Sequence, residues 1–202
     1  MMKNNNPLIA LYHLLFAISS SVVGAIIASW PLLWIFMLVQ KTNETVNMSI
    51  LKVMHNYNQL MWYLMWPFKT KLKMDNFPTS RDAAQHFADC KRLFLLAIVV
   101  FIVCLIMYLI ARKDQKRNLL NLDKTWALLF LILPVAILPF AMANFDTFFA
   151  TFHHIFFSNS NWLFDPTTDP IINVLTEGFF ASCFAVSGII YELFFAAKLL
   201  QK

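Results

Sequence analysis

Long apolar runs alternate with short polar segments along this chain. Four runs, 7–39, 93–111, 126–143 and 172–200, are each long enough to cross a bilayer as helix, which takes about 20 residues. The first is too long for the roughly 7–15-residue core of a signal peptide, and it continues unbroken through the small residues at 25–29, so it reads as an uncleaved span. Pro134 and Pro139 are expected to kink the third run. The pattern therefore predicts an all-α polytopic membrane protein, with residues 1–202 forming one membrane domain.

Between the runs the periodicity changes. Val46, Ile50, Val53, Met54, Tyr57, Leu60, Met61 and Leu64 follow helical spacing, and Pro67 ends the pattern. This predicts an amphipathic helix in the first loop. Thr79 or Ser80 is placed to cap a further helix, with Asp82 in its first turn, running on into the second span. His86 would then stand about 10 Å beyond the apolar boundary at Leu93. In the loop after the third span, Phe145, Phe148, Phe149, Phe152 and Phe156 mark a helix too short to cross, hence interfacial or re-entrant.

Charge sets the expected orientation. The loop 112–125 carries Arg112, Lys113, Lys116, Arg117 and Lys124, whereas 144–171 has no Lys or Arg. The positive-inside rule makes the former cytoplasmic and the latter external. Span parity then puts the loop 40–92 outside as well, despite its eight basic residues, and both termini inside. These four spans and an external cap of loop helices imply a multi-pass membrane protein with its candidate site on the external face.

Composition narrows the function. Of 202 residues, 59% are hydrophobic and 13% charged, far from the balance of a soluble domain. The net charge of +5 reports loop orientation and anionic lipid rather than nucleic acid. Three glycines, Gly24, Gly178 and Gly188, are too few and too scattered for a phosphate-cradling loop. Cys90, Cys104 and Cys183 form no CxxC pair, and no H-x-x-x-H spacing occurs, so neither a metal nor any other cofactor is expected.

The candidate chemistry lies in the external loops. His86 is one turn from both Asp82 and Asp89, either of which could orient its ring. His153 and His154 are adjacent and would point about 100° apart on a helix, with His153 on the same face as Asp146. Glu177 sits near the external end of the fourth span and could serve the same site, while Glu192, near the other end, reads as a polar partner only. Asn159, Asn161 and Trp162 add polar and aromatic groups, although Trp162 alone would be most simply an interface anchor.

These residues together resemble a known family. The chain is similar, over almost its whole length, to the small bacterial membrane proteins that include the lipoprotein intramolecular transacylase, Lit. The likeness is carried by Asn58-Gln59-Leu60-Met61-Trp62-Tyr63-Leu64, by Phe77-Pro78-Thr79-Ser80, by the segment from His86 to Phe94 (HFADCKRLF), and by the segment from Phe152 to Pro166 (FHHIFFSNSNWLFDP). Cys90 stands where the family pattern more often has Val, Ser160-Asn161 replaces an Asn-Asp-like pair, and Thr176 stands where a Pro often follows Leu. The resemblance implies transfer of the sn-2 acyl chain of a diacylglyceryl lipoprotein to the amine of its N-terminal cysteine, giving the lyso-form. It points to His153 and His86 as the catalytic pair, to a lipoprotein in the outer leaflet as substrate and to no cofactor. A lipid or lipoprotein hydrolase, and a non-enzymatic accessory or binding protein, are the alternatives that the residues alone leave open.

Overall fold

The computed structural model describes residues 6–200; the side chains of residues 117 and 118 are not described. Residues 1–5, 201 and 202, on which the expected cytoplasmic placement of the termini falls, lie outside the described residues. The helices are α1 (Pro7–Gln40), α2 (Ile50–Met65), α3 (Arg81–Lys113), α4 (Arg117–Leu120), α5 (Lys124–Ala143), α6 (Phe145–Phe156) and α7 (Glu177–Leu200). Short 3₁₀ turns lie at Glu44–Val46 and Pro170–Asn173. Helices α1, α3, α5 and α7 are long and apolar enough to span a membrane.

The hydropathic runs correspond to helices, with one difference. Helix α5 runs through Pro134 and Pro139 as a single helix. The fourth helix begins at Glu177 rather than at residue 172. Pro170 opens a 3₁₀ turn instead, and Thr176 Oγ1 then accepts the Phe179 N–H at 3.4 Å to start the helix afresh. Both helices expected in the first loop are present. Ser49 caps α2 by accepting from Lys52 N–H, and Ser80 caps α3 by accepting from Ala83 N–H at 3.1 Å.

The chain divides into two compact units. One comprises residues 1–27, 97–143 and 184–202. Its core gathers Ala10 and Ala17 of α1, Leu122, Ala127 of α5, and Tyr191 and Phe195 of α7. Small residues on α1 let the aromatic residues of α7 approach closely, and Gly24 continues this, because a Cβ there would collide with Ile190. The Tyr12 hydroxyl donates to the Cys104 carbonyl at 3.1 Å, joining α1 to α3. Lys198 is buried and donates to the Leu120 carbonyl at 2.9 Å.

The other unit comprises residues 28–96 and 144–183, and so contains both loops that the charge pattern assigns to the external side. Leu33, Val53, Tyr57, Phe77, Ile171, Val174 and Leu175 converge in its apolar interior. Tyr57 donates to Ser29 Oγ at 2.6 Å, and Trp30 donates to Asn58 Oδ1 at 2.8 Å, so α2 is tied to the end of α1. The connector 66–80 is held to α2 by a reciprocal amide pair. Asn76 N–H donates to Asn56 Oδ1 at 2.8 Å, and Asn56 Nδ2 donates to Asn76 Oδ1 at 3.1 Å. Lys91 of α3 donates to the carbonyls of Trp66 (2.8 Å) and Lys69 (2.5 Å), which closes the α2 C-terminus. These ties give the first turns of α3, and hence His86, a fixed place.

Candidate active site

His86 and His153 come together inside the second unit. His86 lies on the second turn of α3, before the apolar stretch that begins at Leu93, and His153 lies on the last turns of α6. Their ring centroids are 5.5 Å apart. Both residues are buried, at 7% and 6% exposure, rather than lying loosely at an interface. Aromatic rings enclose them. Phe157 and Phe164 present their faces or edges to His86 at 4.8 and 5.7 Å. Phe149 and Trp162 pack on His153 at 4.1 and 4.6 Å, the indole nearly stacked at 30°.

The α6 helix aims His153 inward from its better covered side, where Phe145, Phe148, Phe149 and Phe152 are half-buried. Asn144 caps the helix by accepting from Thr147 N–H at 2.9 Å, and the aromatic residues recur at three- and four-residue spacing on one side. His153 shares that side, whereas His154 is exposed and meets Trp162 in a T-shaped contact, with ring centroids 5.5 Å apart.

Hydrogen bonding fixes the state of His153. Its Nδ1 lies 2.7 Å from the Phe149 carbonyl oxygen. A carbonyl only accepts, so Nδ1 carries the proton and the neutral ring has a bare Nε2. Burial lowers the His153 pKa, the bond to Phe149 opposes that, and His154 adds to it. His86 is lowered further, to about 4, chiefly by burial and then by the charge that His153 would carry, with Asp89 opposing. Both rings are therefore neutral at pH 7.

No carboxylate bonds to either ring among the described residues. Asp89 Oδ1 accepts from Gln85 (3.2 Å) and Arg92 (3.0 Å), and its Oδ2 accepts from Asn159 Nδ2 at 3.4 Å. Asp89 thus tethers the 158–164 loop to α3 rather than orienting His86. Asn159 Oδ1 in turn accepts from Asn161 N–H at 3.0 Å, which curls the loop and brings Trp162 over His153. Asp82, Asp146 and Glu177 are exposed in the first turns of α3, α6 and α7, where a negative charge favours a helix start. Asn161 contributes its backbone to the tether. The Trp162 indole N–H is buried without a partner among the described residues.

Two site neighbours carry no clear mark in the sequence. Cys90 Sγ lies 3.3 Å from His86 Nε2, while His86 Nδ1 is buried with no partner among the described residues. Asp169, only 3% exposed, accepts from Ser80 N–H at 2.6 Å and from the Thr168 hydroxyl at 2.9 Å. It bonds the loop that follows α6 to the N-terminus of the helix that carries His86. An acidic residue in a loop devoid of Lys and Arg was the only signal that it would need a backbone partner. Among the described residues, no group of three or more His, Cys, Asp or Glu side chains is placed to hold a metal ion.

The model of the lipoprotein intramolecular transacylase Lit matches residues 7–180. The chain belongs to this family. No curated protein matches it. Its fold is shared by solved structures of the membrane-integral lipoprotein intramolecular transacylase Lit from Bacillus cereus, all 24% identical to it. One gives a TM-score of 0.79, with 95% of this chain and 91% of that chain covered. A second, with a histidine replaced by arginine, gives 0.69 over 95% and 88%. A third, with a histidine replaced by alanine, gives 0.66 over 96% and 89%. The chain is thus a membrane-integral acyltransferase of the Lit family whose substrate is a lipoprotein, and the hydrolase and accessory alternatives give way to intramolecular acyl transfer.

Proposed function

We propose that His153 removes the proton from the substrate's N-terminal amine while His86 steadies the acyl oxygen or the departing glycerol oxygen. The observation that carries this is the bare Nε2 of His153, left free by the bond from Nδ1 to Phe149 and set 5.5 Å, ring to ring, from a second neutral imidazole. An α-amine has an ordinary pKa of about 7.7–8.0, so it must lose a proton to attack. A neutral histidine is a suitable acceptor.

The step balances within one substrate. The ammonium first gives one proton to water. The neutral cysteine nitrogen then bonds to the acyl carbon of the sn-2 ester, the acyl carbon–oxygen bond breaks, and the second proton, which His153 takes from that nitrogen, returns to the glycerol oxygen. The products are an amide and a free hydroxyl. The cyclic path has about eight atoms, so closing it is mainly a matter of orientation, which a rigid enclosure supplies. Ester-to-amide exchange runs downhill and needs no nucleotide, metal or acyl donor. Phe157, Phe164 and Trp162 give the acyl chain and glycerol an apolar surround that also limits attack by water. Asp89 and Asn159 serve as the frame that holds the Trp162 loop.

The site is read as opening on the outer leaflet of a bacterial cell membrane, with both termini cytoplasmic. The support is the contrast between five basic residues in 112–125 and none in 144–171. The reading is tested by giving purified protein a synthetic diacylated lipopeptide and locating the chains by tandem mass spectrometry. Conserved mass with one acyl group moved to nitrogen is expected. Release of free fatty acid, or no change in the lipopeptide, would overturn it.

A further inference from the structure

We infer that Cys90 is a positioning residue whose thiol proton sets the tautomer of His86, so that Nδ1 carries the hydrogen that meets the substrate oxygen. The inference rests on the role proposed above for His86. It starts from two facts about one ring: Nε2 has Cys90 Sγ at 3.3 Å, and Nδ1 is buried with no partner among the described residues.

A neutral imidazole has one N–H and one bare nitrogen, and the nitrogen that accepts a hydrogen bond leaves the proton to the other. Sulfur is a weak acceptor, whereas a bare imidazole nitrogen is a good one. Donation from S–H to Nε2 is therefore the better pairing. Burial, followed by the charge of Asp89, pushes the Cys90 thiol up to about 12, so the S–H is kept at neutral pH. Cys90 is one helical turn beyond His86 on α3, which makes the contact a local property of the helix.

The consequence is an unpaired Nδ1–H in an aromatic enclosure. A buried donor without an acceptor is unfavourable, and an acyl oxygen arriving there would satisfy it. The two histidines then hold opposite states. His153 keeps its proton on Nδ1, bound by Phe149, and offers bare Nε2 as a base. His86 keeps bare Nε2 bound by Cys90 and offers Nδ1–H as a donor. In soluble triads a carboxylate sets the tautomer, and here a thiol and a carbonyl divide that task between two rings.

The tautomer can be read without turnover. In ¹⁵N-histidine-labelled full-length protein, with the His86 signal identified by its loss in His86→Gln, the wild type is expected to carry its proton on Nδ1. Cys90→Val, which removes the donor at similar volume, should move the proton toward Nε2. The same variant should lower kcat about two- to tenfold, the worth of one neutral hydrogen bond, with KM near wild type. A wild-type His86 protonated on Nε2 would overturn the inference, as would a Cys90→Val protein with unchanged tautomer and kcat. Failure of the wild type to convert the lipopeptide would sink the transacylase reading separately, since the spectroscopic result does not depend on it.

Discussion

His86 and His153 stand 5.5 Å apart, ring to ring, and neither is held by a carboxylate among the described residues. Each instead has one nitrogen occupied by a neutral group, Cys90 Sγ for His86 and the Phe149 carbonyl for His153. A pair built this way carries no fixed charge into a buried aromatic enclosure, where an unpaired charge would be costly.

Removing either ring should nearly stop transfer. A positioned base is worth about 10²–10⁴-fold in rate and an oxyanion donor about 10²–10³-fold. His153→Ala and His86→Ala should fall by those factors, and the double variant by less than their product, because the groups act in one step. Both side chains are buried, so truncation leaves a gap. His153→Phe, which keeps a packed ring, should be as inactive as His153→Ala, and wild-type turnover by a well-folded His153→Phe protein would refute the assignment.

His154 provides the internal control. Its side chain is exposed and makes a T-shaped contact with Trp162. His154→Ala is expected to stay within about threefold of wild type in lipopeptide conversion, in line with the small effects usual for surface substitutions. A loss matching that of His153→Ala, at equal protein level, would show that the wrong ring had been chosen.

Asp169 should matter for position rather than chemistry. Asp169→Ala leaves the Ser80 N–H at the start of α3 without its acceptor, at a cost of about 1–3 kcal/mol. Thermal unfolding in detergent should show the loss. Turnover should fall with it, because the first turns of α3 carry His86. Unchanged melting in Asp169→Ala would mean that the contact does not hold the loop to the helix.

Acid should destabilise the fold through His86. Its pKa is depressed from 6.5 to about 4 by burial and by His153, so between those values the unfolded chain takes up a proton that the folded one refuses. The contribution is fully present above pH 6.5 and is lost as pH falls through about 4, amounting to roughly 3 kcal/mol at 1.36 kcal/mol per unit. His86→Phe should flatten the decline of melting temperature over that window. An equally steep decline in the variant would assign the acid sensitivity to other groups.

Orientation can be tested by single-cysteine labelling in intact cells, on a background lacking the native cysteines. Positions 75 and 161 should react with an impermeant reagent, and position 116 should be protected until the membrane is opened. Protection at 75 or 161 would contradict an external site.

The sequence by itself determined the helical framework. Length and apolarity locate helices in all four runs, because a backbone in hydrocarbon has to satisfy its own hydrogen bonds. Period and capping residues located α2, the polar start of α3 and the short α6, since helical spacing and an N-cap are local properties. The start of α7 was misplaced because hydropathy could not distinguish the Pro170 turn from helix, whereas the Thr176 cap could. Residue type and position made His86 and His153 candidates and the family resemblance pointed to them as the pair, but their meeting was not in the pattern. It depends on packing between α3 and α6, segments far apart along the chain. Local spacing suggested that Asp82 or Asp89 would orient His86, yet Asp89 is taken by Gln85, Arg92 and Asn159, and Cys90 occupies the ring. Which neighbour wins a hydrogen bond is decided by side-chain direction and competing partners, and only the tertiary structure fixes those.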